Sequence, residues 1–79
     1  MRCEDLVKKI TTNGGAVLEE MVEKSGSVSA HKIILYLNKM YIKLSFLNVL
    51  NNQIEANKFY KYGIDEDWKE LNEEIIFNL

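Results

Sequence analysis

Few side chains in this sequence are of the types that perform chemistry. The chain has one cysteine, Cys3, and one histidine, His31. A Cys–His pair acts as nucleophile and base only when the two are in hydrogen-bond reach, and no recognisable spacing joins these two. The acidic residues are numerous, but no motif pairs two of them for general acid–base work. We therefore predict no catalytic residues and expect that the protein is not an enzyme.

The same counts limit the ligands that the chain can hold. A lone cysteine excludes a disulfide within the chain, and one cysteine with one histidine excludes a Cys/His zinc site. The run Asn13-Gly14-Gly15 lacks the further glycines and the lysine of a phosphate-binding loop. The sequence thus predicts no metal site, no cofactor and no small-molecule ligand.

Composition indicates one small globular domain spanning residues 1–79. The 79 residues are 47% apolar and 28% charged, with a net charge of −2. The chain carries no signal-peptide pattern, and polar residues interrupt its most apolar stretch, so we expect no membrane contact. A cytoplasmic location with a reduced thiol at Cys3 is the expectation.

The charge is unevenly distributed along the chain. Residues 32–61 contain five lysines against one acid, Glu55, whereas residues 65–79 contain six acids against one lysine, Lys69. The acidic residues near the end fit either a solvated helix face or a recognition surface for a basic partner.

Glycines and apolar spacing divide the chain into predicted helices. Apolar residues at helical spacing predict a first helix over Cys3–Thr12 and a second over Ala16–Lys24. A third begins at Ala30 and continues to Asn51 or Tyr62, as one helix or two. A fourth begins after the N-cap residue Asp65 and carries its apolar face over Trp68–Leu79. The predicted fold is all-α, a small bundle of three to five helices.

The central segment Ile33–Leu50 carries more apolar surface than one helix face can hold. On a helical projection its apolar residues form two stripes, of which the second holds Leu35, Ile42, Phe46 and Val49. Short flanking helices can cover one stripe. The second stripe would then need the last helix or another protein molecule, which predicts a homodimer or a different protein partner.

An alternative fold is indicated by a resemblance over residues 17–64. The run from Val17 to Leu35 resembles the opening of a winged-helix domain, in which a helix, a short polar turn and a brief strand precede a second helix. Residues 45–57 are similar to the recognition helix of that family, and residues 58–62 to its wing strand. The resemblance implies a DNA-binding regulator. Its base contacts would come from Asn48, Asn51, Asn52 and Gln53, and its phosphate contacts from Lys43, Lys58 and Lys61.

A small interaction protein is the function that these patterns favour. We expect an adaptor, inhibitor or assembly chaperone of the kind that phages and other mobile elements encode, with a winged-helix DNA-binding regulator as the alternative. Nucleic acid is therefore the less favoured partner. The predicted partner-binding residues are the second stripe and part of the acidic terminus: Leu35, Ile42, Phe46, Val49, Asp67, Glu70 and Glu74.

Overall fold

Within residues 2–72, the fold consists of one helix and five antiparallel strands. The computed structural model describes residues 2–72, apart from the side chain of Glu55. The elements in chain order are α1 (Cys3–Thr12), β1 (Ala16–Ser25), β2 (Val28–Leu37), β3 (Met40–Val49), β4 (Asn52–Lys61) and β5 (Lys69–Glu70). Each strand pairs with the next along the chain, so the sheet is a meander in the order β1-β2-β3-β4-β5.

The predicted all-α bundle is therefore wrong, and the winged-helix alternative is also not matched. Ala16–Lys24, expected as the second helix, lies in strand β1, and the expected central helix is replaced by three strands. Residues 68–72 contain the two-residue strand β5 where the last helix was expected to begin. The rest of that predicted helix lies outside the described residues.

The first helix is confirmed with the predicted bounds. Glu4 and Asp5 lie in its first turn, where the helix dipole favours negative charge. Its apolar side chains Cys3, Leu6 and Ile10 are buried against the sheet. At its end, the Asn13 side-chain amide donates to the Lys9 carbonyl at 2.7 Å.

Each of the first three hairpins turns through only two residues. Gly26 has a φ of 61° between β1 and β2, which suits glycine because it lacks a Cβ. Asn38 and Lys39 have φ values of 49° and 65°, and Leu50 and Asn51 have values of 48° and 69°. Two consecutive residues with positive φ match the type I′ turn, whose twist fits that of paired strands.

The core lies between α1 and one face of the sheet. Ile33, Leu35 and Leu37 alternate along β2, and the even-numbered residues from Met40 to Phe46 alternate along β3. This period of two places all of them on the face that α1 covers, together with Leu71 from the segment after β5. We call this face the helix-side face and the opposite one the open face.

In the described part of the chain, no helix is long and apolar enough to cross a bilayer.

Candidate functional site

The first surface of interest is the β1 edge, which we define as Ala16–Ser25. All ten residues are exposed, and the strand pairs with β2 along one side only. Within residues 2–72, no strand pairs with the side of β1 that faces away from β2. Four apolar side chains on it are 43–54% exposed: Val17, Leu18, Met21 and Val22. The edge therefore offers backbone N–H and C=O groups together with exposed apolar side chains.

The β1 edge is also acidic. Glu19, Glu20 and Glu23 lie within five positions, and Lys24 is the one basic residue of the strand. The pairing with β2 shifts between Val17 and Glu19, so a bulge interrupts the regular ladder there. The three glutamates give this edge a negative field along most of its length.

The second surface is a lysine–aromatic cluster on the open face, which we define as Lys43, Phe59, Lys61 and Trp68. Lys43 lies directly opposite Phe59 in the β3–β4 register. Its ammonium lies 5.1 Å from the centre of the Phe59 ring and 4.8 Å from that of Trp68, and the Lys61 ammonium lies 4.5 Å from the Trp68 ring centre. These are cation–π distances, each worth about 0.5–1 kcal/mol at exposed sites.

Further aromatic and basic side chains extend this cluster across the open face. Tyr36 and Tyr41 form a cross-strand pair with ring centres 5.0 Å apart in an edge-to-face arrangement. Lys32 lies on the same face of β2, four residues along the strand from Tyr36. Strands β2 and β3 contain no aspartate or glutamate. The centre of the open face is therefore basic and aromatic, whereas the β1 edge is acidic.

No protein-family model, curated protein or solved structure matches this chain. Its function has to be inferred from the surfaces themselves.

A polar cluster closes one end of the core on the helix-side face. The Ser29 hydroxyl and His31 Nε2 are 2.8 Å apart, and the Asn48 amide donates to the Glu4 carboxylate at 3.3 Å. The His31 ring stacks on Phe46 with ring centres 4.7 Å apart. Burial raises the pKa of Glu4, but backbone and Asn48 hydrogen bonds and the nearby Arg2 together hold that pKa below its ordinary value.

This polar cluster ties α1 to the sheet. The Cys3 backbone N–H also donates to the Gln53 side-chain oxygen at 2.9 Å, which joins the start of α1 to β4. In the described residues, no group of three or more His, Cys, Asp or Glu side chains is placed to hold a metal ion. We interpret these contacts as fixing the helix over the core.

A carboxylate-capped turn positions Trp68. Glu66 Oε2 accepts backbone hydrogen bonds from Tyr62 at 2.9 Å and from Gly63 at 2.5 Å. Both hydrogen bonds lower the pKa of Glu66, and the one from Gly63 has the larger effect. Lys61 donates to the Ile64 carbonyl at 3.0 Å, so the same turn holds one lysine of the lysine–aromatic cluster.

Acid is expected to loosen this turn. Because the pKa of Glu66 is lowered in the folded protein, its stabilising effect is present above the ordinary value of 4.5 and is lost as the pH falls below it. The fluorescence of Trp68, the only tryptophan, should therefore change as the pH is lowered below 4.5 in a titration of the native protein. Glu66→Gln should show the acid-like signal already at pH 7.

The neighbouring change Asp65→Asn is the control for this titration, because it removes a carboxylate from the same turn without touching the two backbone N–H bonds. It should retain the acid transition. An unchanged transition in Glu66→Gln would show that another carboxylate controls the turn.

The structure separates the predicted partner-binding residues. Leu35, Ile42 and Phe46 lie in the core with at most 3% of their surface exposed. Val49 is half-buried at the end of β3, and Asp67 and Glu70 are exposed around β5. Glu74 lies outside the described residues. The expected contact stripe is therefore not a continuous surface in this fold.

The residues implied by the winged-helix resemblance are likewise not on a recognition helix. Residues 45–57 form the end of β3, a turn and the start of β4. Asn48 and Gln53 bind α1, whereas Asn51 and Asn52 are exposed around the turn. Of the expected phosphate contacts, Lys43 and Lys61 are on the open face, and Lys58 is paired with the core residue Leu44.

Sequence reasoning missed both surfaces. The β1 residues at 17, 18, 21 and 22 have a spacing that fits a helix stripe, and the glutamates fit the opposite helix face. Trp68 joins Lys43 and Lys61 only through the strand pairing, which no local spacing reveals. The available signal was the absence of acids over residues 32–54, a basic segment that continues into β4.

Proposed function

We propose that this protein is a non-catalytic interaction module that binds another protein by strand addition at the β1 edge. The observation that carries the proposal is a ten-residue edge strand, exposed throughout, with four exposed apolar side chains. In strand addition, an extended segment of the partner forms main-chain hydrogen bonds with a free edge, and side chains of alternate residues give specificity.

The charge of the edge defines the partner segment. Cross-strand neighbours of opposite charge stabilise a pair of strands, and like charges directly opposite destabilise it. Glu19 and Glu23 both lie on the open face, so they favour a segment that places basic residues at alternate positions on that face. A second copy of this chain is less suited, since a β1–β1 pair would bring six glutamates together with two lysines.

The apolar side chains of the edge extend the contact on both sheet faces. In the register with β2, Val17 and Val22 lie opposite Leu35 and His31, on the helix-side face, and Met21 lies opposite Lys32, on the open face. A partner strand would cover these side chains and continue the sheet by one strand. An adaptor, inhibitor or assembly chaperone in the cytoplasm is the role that we propose for such a module.

The test uses the full chain and a synthetic ten-residue peptide of alternating valine and lysine. Addition of the peptide should protect β1 amides from hydrogen exchange, because those facing away from β2 gain acceptors. Glu19 and Glu23 share the open face, so the lysines of the peptide can lie opposite both of them. Glu19→Lys/Glu23→Lys should therefore weaken binding by about 5- to 10-fold or more, because two attractive cross-strand pairs become repulsive.

The matched control is the double reversal Asp67→Lys/Glu70→Lys, which changes the net charge equally at the acidic residues near β5. It should leave peptide affinity within about twofold. Equal losses in both variants would show a non-specific charge effect and overturn the proposal. A stable dimer in light scattering that keeps β1 protected without peptide would also overturn it, because a second copy would then cover the edge.

A further inference from the structure

We infer that the open face is a binding site for single-stranded nucleic acid, centred on the lysine–aromatic cluster. This inference does not depend on strand addition, because the lysine–aromatic cluster shares no residue with the β1 edge. Proteins that bind single strands without strong sequence preference combine a basic surface that follows the phosphates with aromatic rings on which bases stack. The open face has both properties within one sheet.

The basic component comes from three adjacent strands. Lys32, Lys43 and Lys61 lie on β2, β3 and β4, and strands are about 4.8 Å apart in a sheet. The ammonium groups of Lys43 and Lys61 are held over the Trp68 ring rather than paired with carboxylates in the contacts described above. Glu70, opposite Phe59, and the β1 glutamates border this basic region on its two sides.

The aromatic component follows the same three strands and the segment before β5. Tyr36, Tyr41, Phe59 and Trp68 all lie on the open face, and each of these rings is partly exposed. A base that stacks on Trp68 would lie beside two lysines, which are then positioned for its flanking phosphates. Duplex DNA does not present its base faces in this way, so the site favours single strands.

The test is a fluorescence-anisotropy titration of the full chain with a labelled oligothymidylate of about 15 nucleotides, a length within the site sizes of small single-strand-binding folds. Binding should weaken with salt at a slope of about −1.4 to −2.1 in log–log form, since each neutralised phosphate contributes about −0.7. Oligothymidylate should also quench the fluorescence of Trp68.

Two kinds of variant distinguish stacking from charge. Trp68→Ala should weaken binding by about 5- to 150-fold, the range for the loss of one stacked base, and Trp68→Phe should recover part of it. Lys43→Gln should reduce the salt slope by about 0.7. Lys8→Gln, an equal change of charge on the exposed side of α1, is the matched control and should leave the slope unchanged.

Thermal unfolding of each variant identifies any that fail to fold. If Trp68→Ala does not fold, Lys43→Gln and Trp68→Phe still test the inference. Equal effects of Lys8→Gln and Lys43→Gln, or no binding at low salt, would overturn the inference. A Trp68 response to anionic phospholipid vesicles without a response to oligothymidylate would also overturn it and would assign the face to a membrane surface.

Discussion

Ile42→Ala is expected to lower the free energy of unfolding by about 2–5 kcal/mol, the usual cost of truncating a buried isoleucine. Ile42 is fully buried in β3, opposite Leu35 and Tyr60, and belongs to the core that α1 covers. Domains of this size unfold with only about 5–15 kcal/mol. The variant should therefore show a much lower midpoint in urea or thermal unfolding followed by circular dichroism.

Ile64→Ala is the matched control, because it removes the same atoms from a side chain that is 71% exposed. Its free energy of unfolding should stay within about 0.5 kcal/mol of that of the parent. The sequence analysis predicted Ile42 as a partner-binding residue, whereas it lies in the core. A folded Ile42→Ala variant of unchanged stability would contradict the core position seen here.

Gly15→Ala is the second change with a large expected effect. A Cβ at this position would collide with Cγ2 of Ile10 and would lie 2.8 Å from the Ile10 carbonyl oxygen and 3.2 Å from its carbon. The Gly15 N–H donates to that same oxygen at 2.9 Å, so the backbones are held close. Overpacking of this kind costs about 1–3 kcal/mol, or a fall in Tm of about 4–8 °C for each kcal/mol.

The neighbouring Gly14→Asn is the control for Gly15→Ala. A Cβ at Gly14 meets nothing within 4 Å, and its φ of 91° is positive, a region in which asparagine is enriched relative to most residues. Calorimetry should show a larger fall in Tm for Gly15→Ala than for Gly14→Asn. A larger loss of stability for Gly14→Asn would mean that the backbone conformation at Gly14 matters more for stability than the close contact between Gly15 and Ile10.

Local signals predicted α1 correctly, because its acids, its apolar spacing and the Asn-Gly-Gly stop all agree. The strands were missed because both faces of the central sheet carry apolar residues. Tyr36 and Leu47 on the open face combine with Ile33 and Leu44 on the helix-side face into one apparent helix stripe. A half-buried strand shows alternation, but a strand that is apolar on both faces does not.

Two signals in the sequence did favour strands. The segment 33–50 contains three isoleucines, two tyrosines, one phenylalanine and one valine, residue types that pack well on a pleated surface. Asn38-Lys39 lies at its centre and forms a turn with positive φ, which asparagine tolerates better than most residues. The two candidate surfaces depend on which strands are neighbours, and that information appears only after the register is known.

The short hairpin turns also bear on how fast the chain folds. Paired residues of the meander are separated by at most 21 positions, as for Val28 and Val49. Contacts close in sequence cost little loop-closure entropy, so a meander reaches its transition state sooner than a sheet built from distant strands. The contact between α1 and β4, from Cys3 to Gln53, closes the longest loop described here and should form after the hairpins.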